Sequence, residues 1–206
     1  MAETVQIDPK QPSPELIAEA VRVIQEKGVI IYPTETLYGL GAHPLFPEAM
    51  QRIYAIKGRD ETKPIPFLIK DQEMLASLVE EVPSIGRELI KRYWPGALTL
   101  IFRAKKGLRP PLRGKDGTIA LRISAHPIAR RIVEAMDAPL TSTSANLAGE
   151  EDIVDGRELA QLFGNQVELI IDSGKVAGIG STVVDLTIAP PRMVRQGMIK
   201  VILPTK

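Results

Sequence analysis

Three short segments carry hydroxyl side chains directly beside apolar stretches of the kind that form buried strands. They are "PTET" at residues 33–36, "STSAN" at 142–146 and "GIGST" at 178–182. Closely spaced hydroxyls with free backbone amides bind phosphates and carboxylates, and loops positioned by a sheet are common ligand sites. For any one segment the alternative is a turn in which Ser, Thr or Asn hydrogen-bonds its own backbone. Three such segments together predict a shared anion site.

A second group of candidate residues is cationic. The loop "KGRDETK" carries Lys57, Arg59 and Lys63, and two guanidiniums follow at Arg122 and Arg195. A guanidinium binds phosphate or carboxylate oxygens through a planar fork of N–H groups. These five side chains therefore predict an anion site. The alternative is a solvated surface on which the basic residues of the loop pair with the two acidic residues between them.

The segment "TIALRI" at residues 118–123 places candidate side chains on one face of a strand. Successive residues of a β-strand point to opposite faces. The three aliphatic residues at odd-numbered positions therefore share an apolar face, and Thr118 and Arg122 share the other face. We expect Thr118 and Arg122 to face a ligand.

The composition excludes several classes of active site. The 206 residues include no cysteine and only two histidines, His43 and His126, which rules out cysteine nucleophiles, disulfides and thiolate metal sites. Both histidines precede a proline, and no nucleophile-elbow motif is present. "GLGAHP" has Pro44 where the dinucleotide-binding fingerprint has its last glycine, and "GKVAGIGST" lacks the spacing of a phosphate-binding loop. Neither of these nucleotide motifs is therefore supported.

Length and charge are those of an ordinary globular protein. A length of 206 residues, with a net charge of +1 and 44% hydrophobic residues, predicts one domain over residues 1–206. No apolar run approaches the ~18 residues of a membrane span, and the N-terminal segment lacks the apolar core of a signal peptide. We therefore expect a cytoplasmic protein with no membrane partner.

One basic segment suggests a different class of function. "RAKKGLRPPLRGK", residues 103–115, has six basic residues and no acidic one. A solvated loop is the simpler interpretation, and a patch that contacts RNA is the alternative. Aromatic residues make up 4% of the chain, so side chains on which RNA bases could stack are scarce.

The alternation of apolar and turn-forming segments predicts an α/β or α+β fold with a mixed, twisted sheet. Ser13 and Pro14 predict the start of the first helix, which Gly28 ends. Further helices are predicted over residues 47–57, 71–79, 84–93, 127–136 and 157–163. Strands are predicted over residues 29–32, 65–69, 97–102, 118–123, 167–172, 182–186 and 193–195, with another opening "PLTSTSAN". The glycines of "YGLG" predict a tight backbone path after the first strand.

Seven segments occur in the order and approximate spacing of one known family. They are "YPTETLYGLG", "KGRDETKPIPFLI", "WPGALTLIF", "TIALRISAHP", "STSANLAGE", "GIGSTVVDLT" and "RQG". On these motifs, which run from about Ser13 to Gly197, the chain resembles the YrdC-like family, the threonylcarbamoyl-AMP synthases of tRNA modification. It resembles the short, single-domain type, because it ends soon after "RQG".

The resemblance implies both a fold and a reaction. The fold is a twisted, mostly parallel α/β sheet curved around a positively charged cavity. The reaction joins L-threonine, bicarbonate and ATP, with Mg²⁺ bridging the phosphates, into threonylcarbamoyl-AMP and diphosphate. Downstream threonylcarbamoyl-transferase proteins then modify the adenosine at position 37 of tRNA. The alternative is a non-catalytic factor that binds double-stranded RNA or acts in ribosome maturation, through the cavity and the basic segment at 103–115.

The resemblance also assigns residues to roles. Lys57 and Arg59 would be catalytic. Threonine or bicarbonate would contact four residues: Thr34, Lys63, Ser142 and Ser181. ATP would contact six: Arg59, Thr118, Arg122, Ser144, Asn146 and Arg195. The resemblance identifies no protein ligand for the metal.

Two residues depart from the family pattern. The family usually has proline where this chain has Asp60, directly after Arg59, and usually has serine where this chain has Ala148. Asp60 lowers the local positive charge, so the roles of Arg59 and Lys63 depend more on the loop conformation than the role of Thr34 does.

Overall fold

The computed structural model describes residues 1–60 and 64–203, so Lys63 lies outside the described residues. Six helices occur in this part of the chain: α1 (Pro14–Gln25), α2 (Pro47–Lys57), α3 (Gln72–Leu78), α4 (Ser84–Tyr93), α5 (Pro127–Met136) and α6 (Gly156–Phe163). The first strands are β1 (Glu3–Gln6), β2 (Ile30–Pro33), β3 (Tyr38–Gly41), β4 (Phe67–Leu68), β5 (Leu98–Arg103) and β6 (Thr118–Arg122). The others are β7 (Leu140–Thr141), β8 (Thr143–Ser144), β9 (Leu169–Asp172), β10 (Thr182–Asp185) and β11 (Arg192–Arg195).

The first sheet has the strand order β1-β9-β2-β3-β8 and is covered by helices on both faces. Ile30 and Tyr32 pack with α1 and α5, whereas Ile31, which points to the opposite face, packs with α2 and α6. A strand that is covered on both sides has no polar face, which explains the continuous apolar run before "PTET". This sheet therefore fixes the position of the turn that follows β2.

The second sheet has the order β11-β10-β5-β6-β4-β7, and one face of its central strands packs against α3 and α4. Leu98, Leu100 and Phe102 of β5 belong to the core cluster that includes residues of α3 and α4. Thr99 and Ile101, at the intervening positions of β5, line a cavity. The period of two residues along this strand thus separates a core face from a cavity face.

The helix ends follow the local signals in the sequence. The Ser13 hydroxyl accepts a hydrogen bond from the Leu16 N–H at the start of α1, and the Asp71 carboxylate accepts one from the Met74 N–H at the start of α3. At the end of α2, Gly58 has φ +57°, a left-handed conformation that glycine adopts without steric cost. This turn directs the chain from α2 to Arg59.

The prediction of an α/β fold with mixed strand pairing is confirmed. Parallel pairs such as β2 with β9 occur beside antiparallel pairs such as β2 with β3. The strands form two sheets, a division that the sequence pattern did not predict, and β1 and β3 were not predicted as strands. The other predicted helices and strands are observed with small shifts at their ends.

No helix in residues 1–60 and 64–203 is both long enough and apolar enough to cross a membrane.

Candidate active site

A cavity of about 320 Å³ receives side chains from both sheets. All three hydroxyl-bearing segments reach it, through Thr34 and Thr36, through residues 142–144, and through Ser181. Three arginines also line it, namely Arg59, Arg122 and Arg195. Among the described lining residues there is no carboxylate. The hydroxyl clusters and the arginines, which are far apart in the sequence, thus form one site with the composition of an anion-binding site.

Thr34 begins the four-residue turn between β2 and β3, and its hydroxyl is the centre of that turn. Its Oγ1 donates a hydrogen bond to the Leu37 carbonyl (2.6 Å) and accepts from the backbone N–H groups of Thr36 and Leu37, both at 3.2 Å. Because the only proton of Thr34 goes to that carbonyl, the 2.9 Å contact between the two threonine hydroxyls requires Thr36 to donate. Arg122 Nη1 in turn donates to Thr36 Oγ1 at 3.0 Å. Turn formation and a place at the cavity are therefore combined in one residue.

The glycines after the turn make room for an aromatic ring. Gly39 and Gly41 lie in β3 opposite Tyr32 and Ile30 of β2. A Cβ atom built on Gly41 would lie 2.8 Å from Tyr32 Cε1, and one on Gly39 would lie 3.1 Å from Tyr32 Cζ. The prediction that these glycines provide a tight backbone path was wrong, because they continue a regular strand and leave space for the Tyr32 ring.

The far side of the cavity is formed by the segment before β10 and by β11. The Ser181 hydroxyl lies 2.8 Å from Thr99 Oγ1, and Arg195 donates from Nε to the Ser181 carbonyl at 3.0 Å. Burial lowers the pKa of Arg195; Asp152 opposes this shift, and the charge of Arg122 adds to it. Arg195 and Arg122 therefore both present positive charge to the same cavity, as an anion-binding site requires.

Lys57 does not line the cavity but anchors the "STSAN" segment. Its Nζ donates to the Ser144 carbonyl (2.6 Å), the Asn146 carbonyl (3.0 Å) and Asn146 Oδ1 (2.9 Å). Burial, together with a smaller effect of the Arg59 charge, lowers the pKa of Lys57 to about 8, and Asp152 opposes the shift. All three ammonium protons have protein acceptors, so the described geometry gives Lys57 a role in holding this loop.

Asn146 is likewise internal to its loop. Its Oδ1 also accepts a hydrogen bond from the Ser144 hydroxyl at 2.6 Å, and its Nδ2 donates to the Glu150 carbonyl at 2.9 Å. Ser144 itself lines the cavity, whereas Asn146 does not. Asn146 therefore orients Ser144.

Thr118 lies outside the cavity, although it shares a strand face with Arg122. The two residues are four positions apart, which is about 13 Å along a strand. The Thr118 hydroxyl donates to Asp116 Oδ1 at 2.8 Å, whereas Ala120 and Arg122 line the cavity. The shared face is as predicted, but the strand extends past the cavity before it reaches Thr118.

Seven of the predicted site residues are brought together in the cavity: Thr34, Arg59, Arg122, Ser142, Ser144, Ser181 and Arg195. Their roles toward individual ligands stay predictions. Sequence reasoning missed Thr36 and Thr99. A polar residue within the apolar strand "ALTLIF" was the available signal for Thr99, and membership of "PTET" was the signal for Thr36.

The described residues contain no group of three or more His, Asp or Glu side chains placed to hold a metal ion. The donor set of the cavity, which consists of hydroxyls and guanidiniums, also lacks the carboxylates that Mg²⁺ prefers as protein ligands.

Comparison with known proteins now assigns the family. The family model for Sua5, YciO and YrdC proteins, described as telomere recombination, matches residues 22–197. The chain belongs to this family. Its predicted membership, made on seven motifs, is therefore confirmed.

Members of the Sua5, YciO and YrdC family resemble the chain in both sequence and structure. The threonylcarbamoyl-AMP synthase of Pyrococcus abyssi is 37% identical over 86% of this chain and 53% of its own length. A putative threonylcarbamoyl-AMP synthase of Mycobacterium tuberculosis is 34% identical over 92% of this chain and 87% of its own length. The chain thus spans about half the length of the first relative and most of the second.

Two solved structures of the family share the fold. The crystal structure of P. abyssi Sua5 complexed with L-threonine has a TM-score of 0.88 and 35% identity, covering 96% of this chain and 57% of that one. E. coli YciO has a TM-score of 0.89 and 33% identity, covering 96% of both chains. The predicted YrdC-like fold is thereby confirmed.

Proposed function

We propose that this chain is a threonylcarbamoyl-AMP synthase, which condenses L-threonine, bicarbonate and ATP and releases diphosphate. The observation that carries the proposal is the convergence of three arginines and three hydroxyl-bearing segments on one cavity. Relatives that carry this name, and a relative whose structure contains L-threonine, support it over the non-catalytic RNA-binding alternative.

The reaction requires two bond-forming steps. The threonine amine attacks the carbon of bicarbonate, a C–O bond breaks, and water leaves as a carbamate forms. A carbamate oxygen then attacks the α-phosphorus of ATP, and the bond to the β-phosphate oxygen breaks, so that diphosphate leaves. Neither step needs a protein nucleophile, which agrees with a chain that has no cysteine. Both steps need reactants to be held in line and crowded negative charge to be neutralised.

The cavity supplies these requirements with fixed groups. Arg122 and Arg195 enter from strands of the second sheet and are assigned to the phosphates, together with Ser144. Thr34, Ser142 and Ser181 are assigned to threonine and bicarbonate. Arg59 is assigned to both sets of ligands, as the cation that contacts the carbamate and the ATP. A guanidinium that is already in place when substrate binds loses little entropy in the reaction.

Lys57 and Asn146 are assigned a supporting role in this mechanism. They hold the segment from Ser142 to Ser144 at the cavity through the bonds described above. This assignment differs from direct catalysis by Lys57 and follows from the saturation of its three N–H groups.

Magnesium is assigned to the substrate. Since the described residues offer no cluster of ligands for a metal, we propose that Mg²⁺ enters as the counter-ion of ATP and is held by phosphate oxygens. The ion neutralises charge on the diphosphate leaving group.

The product is a mixed anhydride that hydrolyses unless it is used, so an acceptor enzyme must consume it. We propose a threonylcarbamoyl-transferase acting on tRNA as that acceptor, with tRNA or double-stranded RNA as a direct partner only if the basic segment at 103–115 contacts it.

The test is diphosphate release by the pure protein with ATP, Mg²⁺, threonine and bicarbonate. Release that requires both threonine and bicarbonate is expected. An Arg59→Ala variant should lose most of the release while keeping its melting temperature, because its side chain donates a single hydrogen bond, to the Pro64 carbonyl, among the described residues. Absence of release from folded wild-type protein would refute the proposal. Arg130→Ala, in an exposed ion pair on α5, is the matched control.

A further inference from the structure

Glu35 carries a half-buried carboxylate at the edge of the candidate active site, and the mechanism above does not use it. Its neighbours Thr34 and Thr36 line the cavity, whereas Glu35 does not. Its Oε2 accepts a short hydrogen bond from the Ser124 hydroxyl, in the segment between β6 and α5. The Glu35 carboxylate is therefore held next to the cavity but outside its lining.

The charged partner of Glu35 is Arg122. Glu35 Oε1 lies 3.5 Å from Arg122 Nη1. The exposed fraction of the Glu35 side chain is 17%, and that of the Arg122 side chain is 5%. Oε1 has no hydrogen-bond partner among the described residues. The same Nη1 donates to Thr36 Oγ1 at 3.0 Å. One end of the guanidinium is therefore held between a hydroxyl and a carboxylate, while the residue still lines the cavity.

The surroundings keep the carboxylate ionised. Burial by itself would raise the pKa of Glu35, but Arg122, the Ser124 hydroxyl and the backbone N–H groups of Glu35 and Ala125 outweigh it and hold the pKa below its usual range. A charged Glu35 at neutral pH is therefore expected.

In the described part of the chain, two other titratable groups, His126 and Tyr32, interact with Glu35, and both are neutral. Burial lowers the pKa of His126, although Glu35 opposes this shift, so the imidazole is uncharged at neutral pH. Burial also raises the pKa of Tyr32, so its phenol keeps its proton. Arg122 is then the one cation among these neighbours that balances the carboxylate.

We propose that Glu35 is a positioning residue that fixes the orientation of the Arg122 guanidinium toward the anionic substrate. The proposal rests on the proposed synthase function for its catalytic consequence but not for its structural content. A guanidinium on a long side chain has many orientations, and one that is anchored on its outer edge presents its remaining N–H groups in a constant direction. Correct orientation at the phosphates is what the in-line displacement requires.

The structural part is tested on wild-type protein without substrate. With ¹⁵N-labelled arginine and ¹³C-labelled glutamate, NMR signals of the Arg122 guanidinium and the Glu35 carboxyl carbon are followed as the pH is lowered from 7. Arg122→Lys and Glu35→Gln identify the signals. Both signals should shift with one common midpoint, which lies below that of exposed glutamates. Arg122 signals that do not change through the Glu35 midpoint would overturn the proposal.

Two variants keep the test decisive if acid unfolds the protein first. At pH 7, Glu35→Gln should merge the separate Nη signals of Arg122, because the released group rotates faster, and Glu134→Gln on the exposed face of α5 should leave them separate. Unchanged Nη signals in a folded Glu35→Gln protein would contradict the proposal. If Glu35→Gln does not fold, Ser124→Ala, which keeps the carboxylate opposite Arg122, should keep the Nη signals separate; merged signals would then overturn it.

The catalytic part is measured by diphosphate release. Glu35→Gln should lower kcat/KM for ATP between about ten- and a hundredfold, the range for a misplaced catalytic group. Glu35→Asp should recover part of the loss, and Glu134→Gln should have no effect. If the wild-type protein releases diphosphate and Glu35→Gln releases it equally well, the positioning role of Glu35 is refuted and the synthase function is not. If the wild-type protein releases no diphosphate but the NMR signals of Glu35 and Arg122 shift together, the synthase function is refuted and the contact between the two residues is not.

Discussion

Lys57 Nζ lies 2.6 Å from the carbonyl oxygen of Ser144, which makes the lysine at the end of α2 a support for a loop more than 80 positions away in the sequence. Two further bonds to Asn146 use the remaining ammonium protons. The ammonium group is largely buried in these contacts, and burial is the main reason for the low pKa of Lys57. This residue therefore offers a direct measurement of the electrostatics beside the cavity.

We predict that Lys57 titrates near pH 8, against about 10.4 for an exposed lysine. Arg59→Ala should raise the midpoint, because a neighbouring cation is removed, and Asp152→Asn should lower it. Between about pH 8 and 10.5, the folded protein has released this proton whereas the unfolded chain still holds it. The contribution of Lys57 to the free energy of unfolding therefore increases over this pH range. NMR of the lysine Cε and Hε signals measures the midpoint. An ordinary midpoint in the folded protein would contradict this prediction, because it would mean that the three hydrogen bonds from Nζ offset the effect of burial.

The hydroxyl of Thr34 should matter more to activity than to stability. Thr34→Val keeps the shape but removes the hydroxyl at the centre of the turn, so the free energy of unfolding should decrease by about 1–2 kcal/mol. Loss of a substrate contact should reduce diphosphate release about ten- to a hundredfold. Thr34→Ser keeps the hydroxyl and is the control for both measurements. If Thr34→Val and Thr34→Ser have equal activity, the hydroxyl has no role in the reaction.

Gly41→Ala should destabilise the protein through a clash with Tyr32. The added Cβ would lie 2.8 Å from the Tyr32 ring and 2.9 Å from Ile30 Cγ1, which no side chain can tolerate without movement. Overpacking of this kind costs about 1–3 kcal/mol, measurable by urea unfolding. In a Tyr32→Leu background the cost should be smaller, because the ring is absent. Equal costs in the two backgrounds would show that the ring is not the obstacle.

Neutralising the basic segment should leave synthesis intact. Arg109 and Arg113 are exposed and do not line the cavity. The double variant Arg109→Gln with Arg113→Gln should therefore release diphosphate at the wild-type rate. If the segment contacts RNA, the same variant should bind RNA more weakly and with a smaller dependence on salt, as measured by filter binding at several salt concentrations. A loss of diphosphate release with the fold retained would place the segment in the reaction.

Residues whose role follows from local pattern were predictable from the sequence. The apolar run at 29–32 correctly indicated a buried strand, and the alternation in "TIALRI" correctly indicated a strand with two different faces. The hydroxyl segments were correctly grouped into one site because each follows or precedes a strand. These signals depend on neighbours in the chain, and a sequence displays them directly.

Features that depend on distant contacts could not be predicted in the same way. Thr118 has the right face but lies too far along the strand, and the position of a cavity along a strand is set by the other sheet. The direction of the Lys57 ammonium depends on carbonyl groups of residues 144 and 146. The use of Gly39 and Gly41 depends on which ring lies across the strand pair, and the division of the strands into two sheets depends on pairings between segments far apart in the sequence.

The cavity takes its lining from residue 34 through residue 195 and from both sheets. A fragment that lacks either sheet would lack part of this lining, so binding of substrate should add to the stability of both sheets. A ligand present at 100 times its dissociation constant would add about 2.7 kcal/mol to that stability. Backbone amides in β2 and in β5 should then exchange with solvent more slowly together, although only one sheet carries Thr34 and only the other carries Arg122.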